Sequence, residues 1–288
     1  MRRDRLEESL DIDLLPSERI VEIIQRHDRV AVDAVAAQAR PIARAIDAIA
    51  DRLANGGRLF YVGAGTSGRL AMVDSSELPP TYGIDPSRVQ VIMAGGEAAF
   101  HAAAEGAEDS EEAAVAEIDR RVRPEDAVVG IAASGTTPFT VAAVRKANMT
   151  GALTVAVTSV PGSPLAAECD IPIVADTGAE VILGSTRMKS GTAQKLILNA
   201  LSTGVMIRLG KVYSNLMVEM PATNAKLRGR AVLMVQLASG AARAEAERAF
   251  AASGANVKTA IVMAKRGVDR AEAERLLASH GGRLREVL

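Results

Sequence analysis

Five short runs of β-branched and other apolar residues, at 58–62, 89–93, 127–132, 153–158 and 171–174, set the strongest limit on what this chain can fold into. Each is followed within a few residues by Gly, Ser or Thr, and the first three lead into segments of helical length. Strands that are apolar almost throughout must be covered on both faces, and strands alternating with helices form parallel sheets. The pattern therefore predicts an α/β fold, a three-layer αβα sandwich around a five-stranded parallel sheet.

The flanks read differently. From Ser17 to about Asn55 the residues Ile20, Ile23, Ile24, Val30, Val32, Val35, Ile42 and Ile46 recur at helical spacing, broken around Pro41, which predicts a helical pair or one kinked helix. The apolar stretch 192–209 reads as a buried helix. Beyond about Lys226 the alternation of strand and helix stops. Segments 241–252, 256–266 and 269–279 are amphipathic and punctuated by Gly254, Gly267 and Gly281, so they predict a small helical domain. A chain of 288 residues accommodates one large core and a small second one, and the division expected here is 1–225 and 226–288.

Composition removes several function classes. Lys and Arg total 34 against 35 Asp and Glu, Trp is absent and aromatics are 2%, which argues against nucleic acid as a partner. No window approaches the roughly 18 apolar residues of a membrane span. Residues 1–17 are charged and lack the apolar centre of a signal peptide, and the lone Cys169 cannot form an intrachain disulfide. A cytoplasmic protein is expected. His27, His101 and His280 stand apart without a second ligand at i+3 or i+4, so no metal site is expected.

The first strand runs into Gly63-Ala64-Gly65-Thr66-Ser67-Gly68-Arg69, formally a dinucleotide fingerprint. The next acid after the second strand is Glu97, 29 positions beyond Gly68 instead of about 20, which strains a cofactor reading. The third strand ends in a similar loop, Ser134-Gly135-Thr136-Thr137-Pro138. In a sheet of order 2-1-3-4-5, strands one and three flank the switch point, so both loops would face one crevice. Amides at a helix start and nearby hydroxyls can surround a phosphate dianion, the helix dipole adding about 0.3–1 kcal/mol. Helix capping is the ordinary role of such residues. Two such loops at one switch point favour a phosphate site instead. The tract from Gly178 through Glu180, Ser185, Thr186 and Arg187 to Lys195 adds an acid, hydroxyls and cations around the start of the buried helix, although caps and a surface ion pair would also explain them.

These loops, with Asp74-Ser75-Ser76-Glu77-Leu78-Pro79-Pro80, Ala94-Gly95-Gly96, Glu105-Gly106-Ala107-Glu108-Asp109-Ser110, the Ser185 to Lys195 tract, Asn215-Leu216-Met217-Val218, Ala222-Thr223-Asn224-Ala225-Lys226 and Gly281-Gly282, closely resemble the N-acetylmuramic acid 6-phosphate etherase family. The resemblance covers most of the chain from about Leu10. It implies a sugar isomerase (SIS) domain followed by a small helical domain, a homodimer, and cleavage of a lactyl ether on a sugar phosphate without metal or cofactor, in amino-sugar recycling. Two departures stand out: residues 2–9 lack the family's Thr-Glu-x-Arg-Asn tract, and His27 replaces an expected acid.

An ether resists direct attack at neutral pH, whereas an opened sugar has an acidic C2 proton, and loss of the C3 substituent then needs a second, protonated carboxyl. From the residues alone Glu105, Glu108 and Asp109 are equivalent candidates for the base. The resemblance implies Glu108 as base and Glu77 as the acid on the departing oxygen. It implies Thr66, Ser67, Ser134 and Thr137 as phosphate ligands, in loops that include Gly135 and Thr136, and Glu180, Ser185 and Thr186 at the sugar.

Overall fold

The computed structural model describes residues 5–101 and 106–288. They form two compact units, one running to Ser75 and again from Ser87 to Val205, the other comprising Ser76–Pro86 and Met206–Leu288. Glu105 lies outside the described residues.

In the first unit the strands are β1 Leu59–Gly63, β2 Val89–Met93, β3 Ala127–Ile131, β4 Leu153–Thr158 and β5 Ile171–Val174. All are parallel, in the order β2-β1-β3-β4-β5. The helices are α1 Ser17–Ala36, α2 Ala39–Ala54, α3 Gly65–Tyr82, α4 Ala98–His101, α5 Glu111–Arg121, α6 Pro138–Thr150, α7 Pro164–Ala167 and α8 Lys189–Arg208. Pro41 does not break the N-terminal pair. It sits in the first turn of α2, where a missing N–H costs nothing, and the break falls at residues 37–38.

Every residue of β1 and β3 is buried, which is why both runs are apolar on both faces. Phe60 and Val62 pack with Ile92, Val128 and residues of α5 and α6 such as Ile118 and Phe139. Tyr61, between them, points to the other face, and its hydroxyl donates to Asp74 of α3. Helix α6 lies against β1, β3 and β4, while α2 lies against β4 and β5.

At the amino edge of the sheet Asp126, fully buried, accepts from the backbone N–H of Arg58 and of Arg123 at 2.8 Å each, and from the Arg58 guanidinium at 2.7 Å. One carboxylate thus joins the starts of β1 and β3.

The second unit contains a two-stranded antiparallel hairpin, β6 Val212–Tyr213 with β7 Leu216–Met217, and helices α9 Ala225–Ser239, α10 Arg243–Ala252, α11 Val257–Arg266, α12 Arg270–Ser279 and α13 Leu284–Val287. The three expected short helices are α10, α11 and α12. Besides 76–86 the unit takes in the chain from Met206 on, and Tyr213, Leu216, Met217 and Val218 pack into its core with Val235, Phe250 and Ile261. Buried Lys258 donates to the carbonyls of Gly210 and Gly282 at 2.9 and 2.6 Å and pairs with Glu219, giving the glycine pair near the C-terminus a structural task.

Asp126→Ala strands two backbone donors and a guanidinium at once. It is expected to cost about 2–4 kcal/mol, held below the value for a dry ion pair because Arg58 keeps contact with water, and to lower the urea midpoint accordingly.

Candidate active site

The carboxyl edge of the sheet is set by register. Gly63 pairs with Ile131, so the loops leaving β1 and β3 emerge side by side at the switch point, as the pattern predicts. Gly135 adopts φ +64°, and a Cβ there would lie 2.2 Å from Ser163 Oγ and 2.8 Å from Thr158 Oγ1. Only glycine fits this turn, which presses the β3 loop against the end of β4.

Within the β3 loop the hydroxyls are arranged for donation outward. Ser134 Oγ accepts from the N–H of Thr136 at 3.2 Å and from its hydroxyl at 3.0 Å. A hydroxyl carries one proton and two lone pairs, so the Ser134 proton remains for a further acceptor. Thr137 occupies the N-cap position of α6 without a side-chain cap bond, and Pro138 follows it. The ordinary capping role is therefore not the one Thr137 performs.

Ser134 lines a small cleft with Ser159 after β4, with Glu180 and Thr186 from the segment between β5 and α8, and with Ser190 in the first turn of α8. Three of the expected site residues, Ser134, Glu180 and Thr186, thus meet in one cleft. Ser159 and Ser190 join them without having been singled out in the sequence; their one signal is a hydroxyl just past a strand end or at a helix start. Glu180 is 6% exposed, and its two oxygens accept from the N–H groups of Lys189 and Ser190 at 3.0 and 2.9 Å. It is the remote cap of α8, and its negative charge occupies the positive end of that helix. Ser190 is held from the other side by Thr177 at 3.1 Å. Ser185 is half-buried beside exposed Thr186 in the turn that leads into α8.

The β1 loop, which the structure folds as Ala64 and the first turn of α3, approaches the same helix start. Thr66 is exposed, and its Cγ2 lies 3.9 Å from where a Cβ on Gly191 would be. Ser67 is buried, and its hydroxyl donates to Gln194 of α8 at 3.0 Å. One turn before Glu77 on α3, the buried carboxyl of Asp74 accepts from Tyr61 and Ser202 at 3.2 Å each and from Lys195 at 3.4 Å. Burial pushes Asp74 above its ordinary 3.8, against the downward pull of Lys195 and the two hydroxyls. Neither Asp74 nor Gln194 is detectable as a partner from sequence, because each bond joins segments more than a hundred residues apart except the one to Tyr61.

The two glutamates expected to handle protons are both exposed. Glu77 stands on α3 in the part of the chain assigned to the second unit, and Glu108 on a short 3-10 turn, Ala107–Asp109, of the first. Neither lines the cleft around Ser134.

Residues 41–148 match the glucokinase regulatory protein N-terminal SIS domain. A protein named N-acetylmuramic acid 6-phosphate etherase from Symbiobacterium thermophilum is 58% identical over 258 residues, covering 90% of this chain and 86% of its own. Its namesake from Deinococcus radiodurans is 47% identical over 279 residues, covering 96% and 92%. Among solved structures, a phosphoheptose isomerase from Francisella tularensis superposes with a TM-score of 0.52 at 18% identity, covering 67% of this chain and 100% of its own, a likeness of fold.

The raised pKa of Asp74 has a signed consequence. Folding favours its protonated form, so its contribution to stability is full below 3.8 and is lost as pH rises through the higher value in the folded protein. Asp74→Asn lacks that dependence. The unfolding free energy of the wild type minus that of the variant should fall as pH rises above 3.8 and then level off, measured by urea titration from about pH 3 to 8.

Proposed function

The chain belongs to the N-acetylmuramic acid 6-phosphate etherase family, and we propose from that premise that it cleaves the D-lactyl ether of N-acetylmuramic acid 6-phosphate, giving N-acetylglucosamine 6-phosphate and D-lactate. The observation that carries this reading is 58% identity over 258 residues, 90% of the chain, with a protein named N-acetylmuramic acid 6-phosphate etherase.

In the proposed sequence the phosphate is held by Thr66, Ser67, Ser134 and Thr137, with Gly135 and Thr136 shaping the second loop. The free proton of Ser134 supports this role, since hydrogen bonds to an anion are stronger than neutral ones. Glu180 shapes the sugar pocket through α8, and Ser185 and Thr186 contact the sugar. With the ring open, Glu108 removes the C2 proton. Electrons move into the C2–C3 bond, the C3–O bond breaks, and Glu77 delivers a proton to the departing lactyl oxygen. Water then adds at C3 of the unsaturated aldehyde, activated by Glu77, and the proton held by Glu108 returns to C2. One water is consumed and both carboxyls end as they began.

The reading places the enzyme in the cytoplasm, in cell-wall amino-sugar recycling, as a homodimer. Exposed Val21 and Val32, three turns apart on α1, offer apolar surface that a second copy would cover. The match to a regulatory protein's SIS domain favours one other reading, a sugar-phosphate sensor without turnover.

Incubation with N-acetylmuramic acid 6-phosphate separates the two. The lyase releases D-lactate, while a sensor shows a raised melting temperature and no lactate between about pH 6 and 9. Glu77→Gln keeps shape and loses the proton, so kcat should fall by about 10²–10⁴ with KM within a few-fold; an unchanged kcat would remove Glu77 from the mechanism.

A further inference from the structure

Ser67 and Gln194 form a buried pair whose hydrogen bonding does not close. Ser67 is 9% exposed and Gln194 2% exposed. The Ser67 proton is spent on Gln194 Oε1 at 3.0 Å, and Gln194 Nε2, fully buried, has no hydrogen-bond partner among the described residues. Buried donors left unmade are rare in folded proteins and call for an explanation, and this one lies beside a candidate binding loop. The surroundings locate that event. Gly191, one turn before Gln194 on the same face of α8, is the residue that Thr66 approaches, so two consecutive residues of the β1 loop rest on one stripe of this helix.

We propose that Gln194 is a positioning residue that sets which way the Ser67 hydroxyl points, and so controls the affinity of the β1 loop for the phosphate of the sugar substrate. The proposal rests on the reading of Ser67 as a phosphate ligand. A half-turn of the Gln194 carboxamide exchanges its oxygen and nitrogen. In the first arrangement Ser67 donates inward and Gln194 Nε2 is unpaired. In the second, Nε2 donates to Ser67 Oγ, and the Ser67 proton is free for a phosphate oxygen. Without an anion each arrangement leaves a buried polar group unsatisfied. A dianion at the loop pairs only with the second, because it accepts the released proton, and the donation from Gln194 polarises that hydroxyl further. The resting bond thus keeps the Ser67 proton paired until a phosphate takes it.

The test uses initial rates of D-lactate release from N-acetylmuramic acid 6-phosphate, with inorganic phosphate as a competing anion. Gln194→Met keeps length and removes both hydrogen-bonding groups. It should raise KM and the phosphate inhibition constant about tenfold or more, and leave kcat within about threefold. Ser67→Ala should do the same, and the double variant should be no worse than Ser67→Ala, since the two residues act through one hydroxyl. Gln194→Glu, a permanent acceptor that also repels the dianion, should raise both constants further and decides the matter should the Met variant not fold. The inference is overturned if Ser67→Ala weakens phosphate inhibition while Gln194→Met and Gln194→Glu do not, or if the effects multiply in the double variant. If Ser67→Ala itself leaves both constants unchanged, the phosphate assignment falls and takes this inference with it.

Discussion

The pairing of Gly63 with Ile131 across the centre of the sheet governs what happens at its carboxyl edge. Because β1 and β3 end level with one another, both loops leave from the same height and can act on one ligand. A shift by one residue would turn the alternation of Phe60, Tyr61 and Val62 inside out, sending the tyrosine hydroxyl into the apolar layer formed with α5 and α6. Asp126, next to the start of β3, fixes the same register from the other end by accepting from Arg58, next to the start of β1, and from Arg123 in the turn before β3. The sheet is therefore clamped below by a buried carboxylate and free above to present loops.

Above the sheet the chain handles charge in an economical way. The positive end of α8 is occupied by Glu180, so this helix is not itself an anion site. Donation is left to the alcohol side chains of the β1 and β3 loops, which carry no charge and so cost far less to desolvate than an ion would. A lysine in their place would bind phosphate as a point charge and would also shift the pKa of any carboxyl required to move between protonation states. Hydroxyl binding leaves such carboxyls free to be tuned by their own surroundings, which suits chemistry that moves protons in both directions.

Much of this was legible in the sequence, and the boundary of legibility is physical. The five strands are marked because burial on both faces leaves no polar position within β1 or β3, and the three short helices because Gly254, Gly267 and Gly281 end or separate them. The loops were marked by hydroxyls next to strand ends. What stayed hidden are the bonds of long sequence separation: Asp126 with Arg58, Asp74 with Ser202, Ser67 with Gln194. Residue type alone also pointed Thr137 toward capping as readily as binding, and only the absence of a side-chain cap bond at its N-cap position separates the two. The β6–β7 hairpin is likewise silent in the sequence, because at two residues per strand it is too short for any periodicity to register.

The tract from Ser185 to Lys195 now divides into distinct duties that explain its density of polar residues. Thr186 lines the cleft, the Lys189 and Ser190 amides bind Glu180, Gly191 faces Thr66, Gln194 receives Ser67, and Lys195 meets Asp74. Two turns of one helix thus hold the β1 loop, the cleft wall and the α3 carboxyl in fixed relation. A side chain that bonds two partners at once cannot be replaced without disturbing both. A helix start loaded in this way is constrained at nearly every position, whereas a purely apolar core segment needs only volume and tolerates exchange among Leu, Ile and Met. Polarity that looks excessive for a linker is therefore the mark of a segment whose backbone and side chains both carry the site.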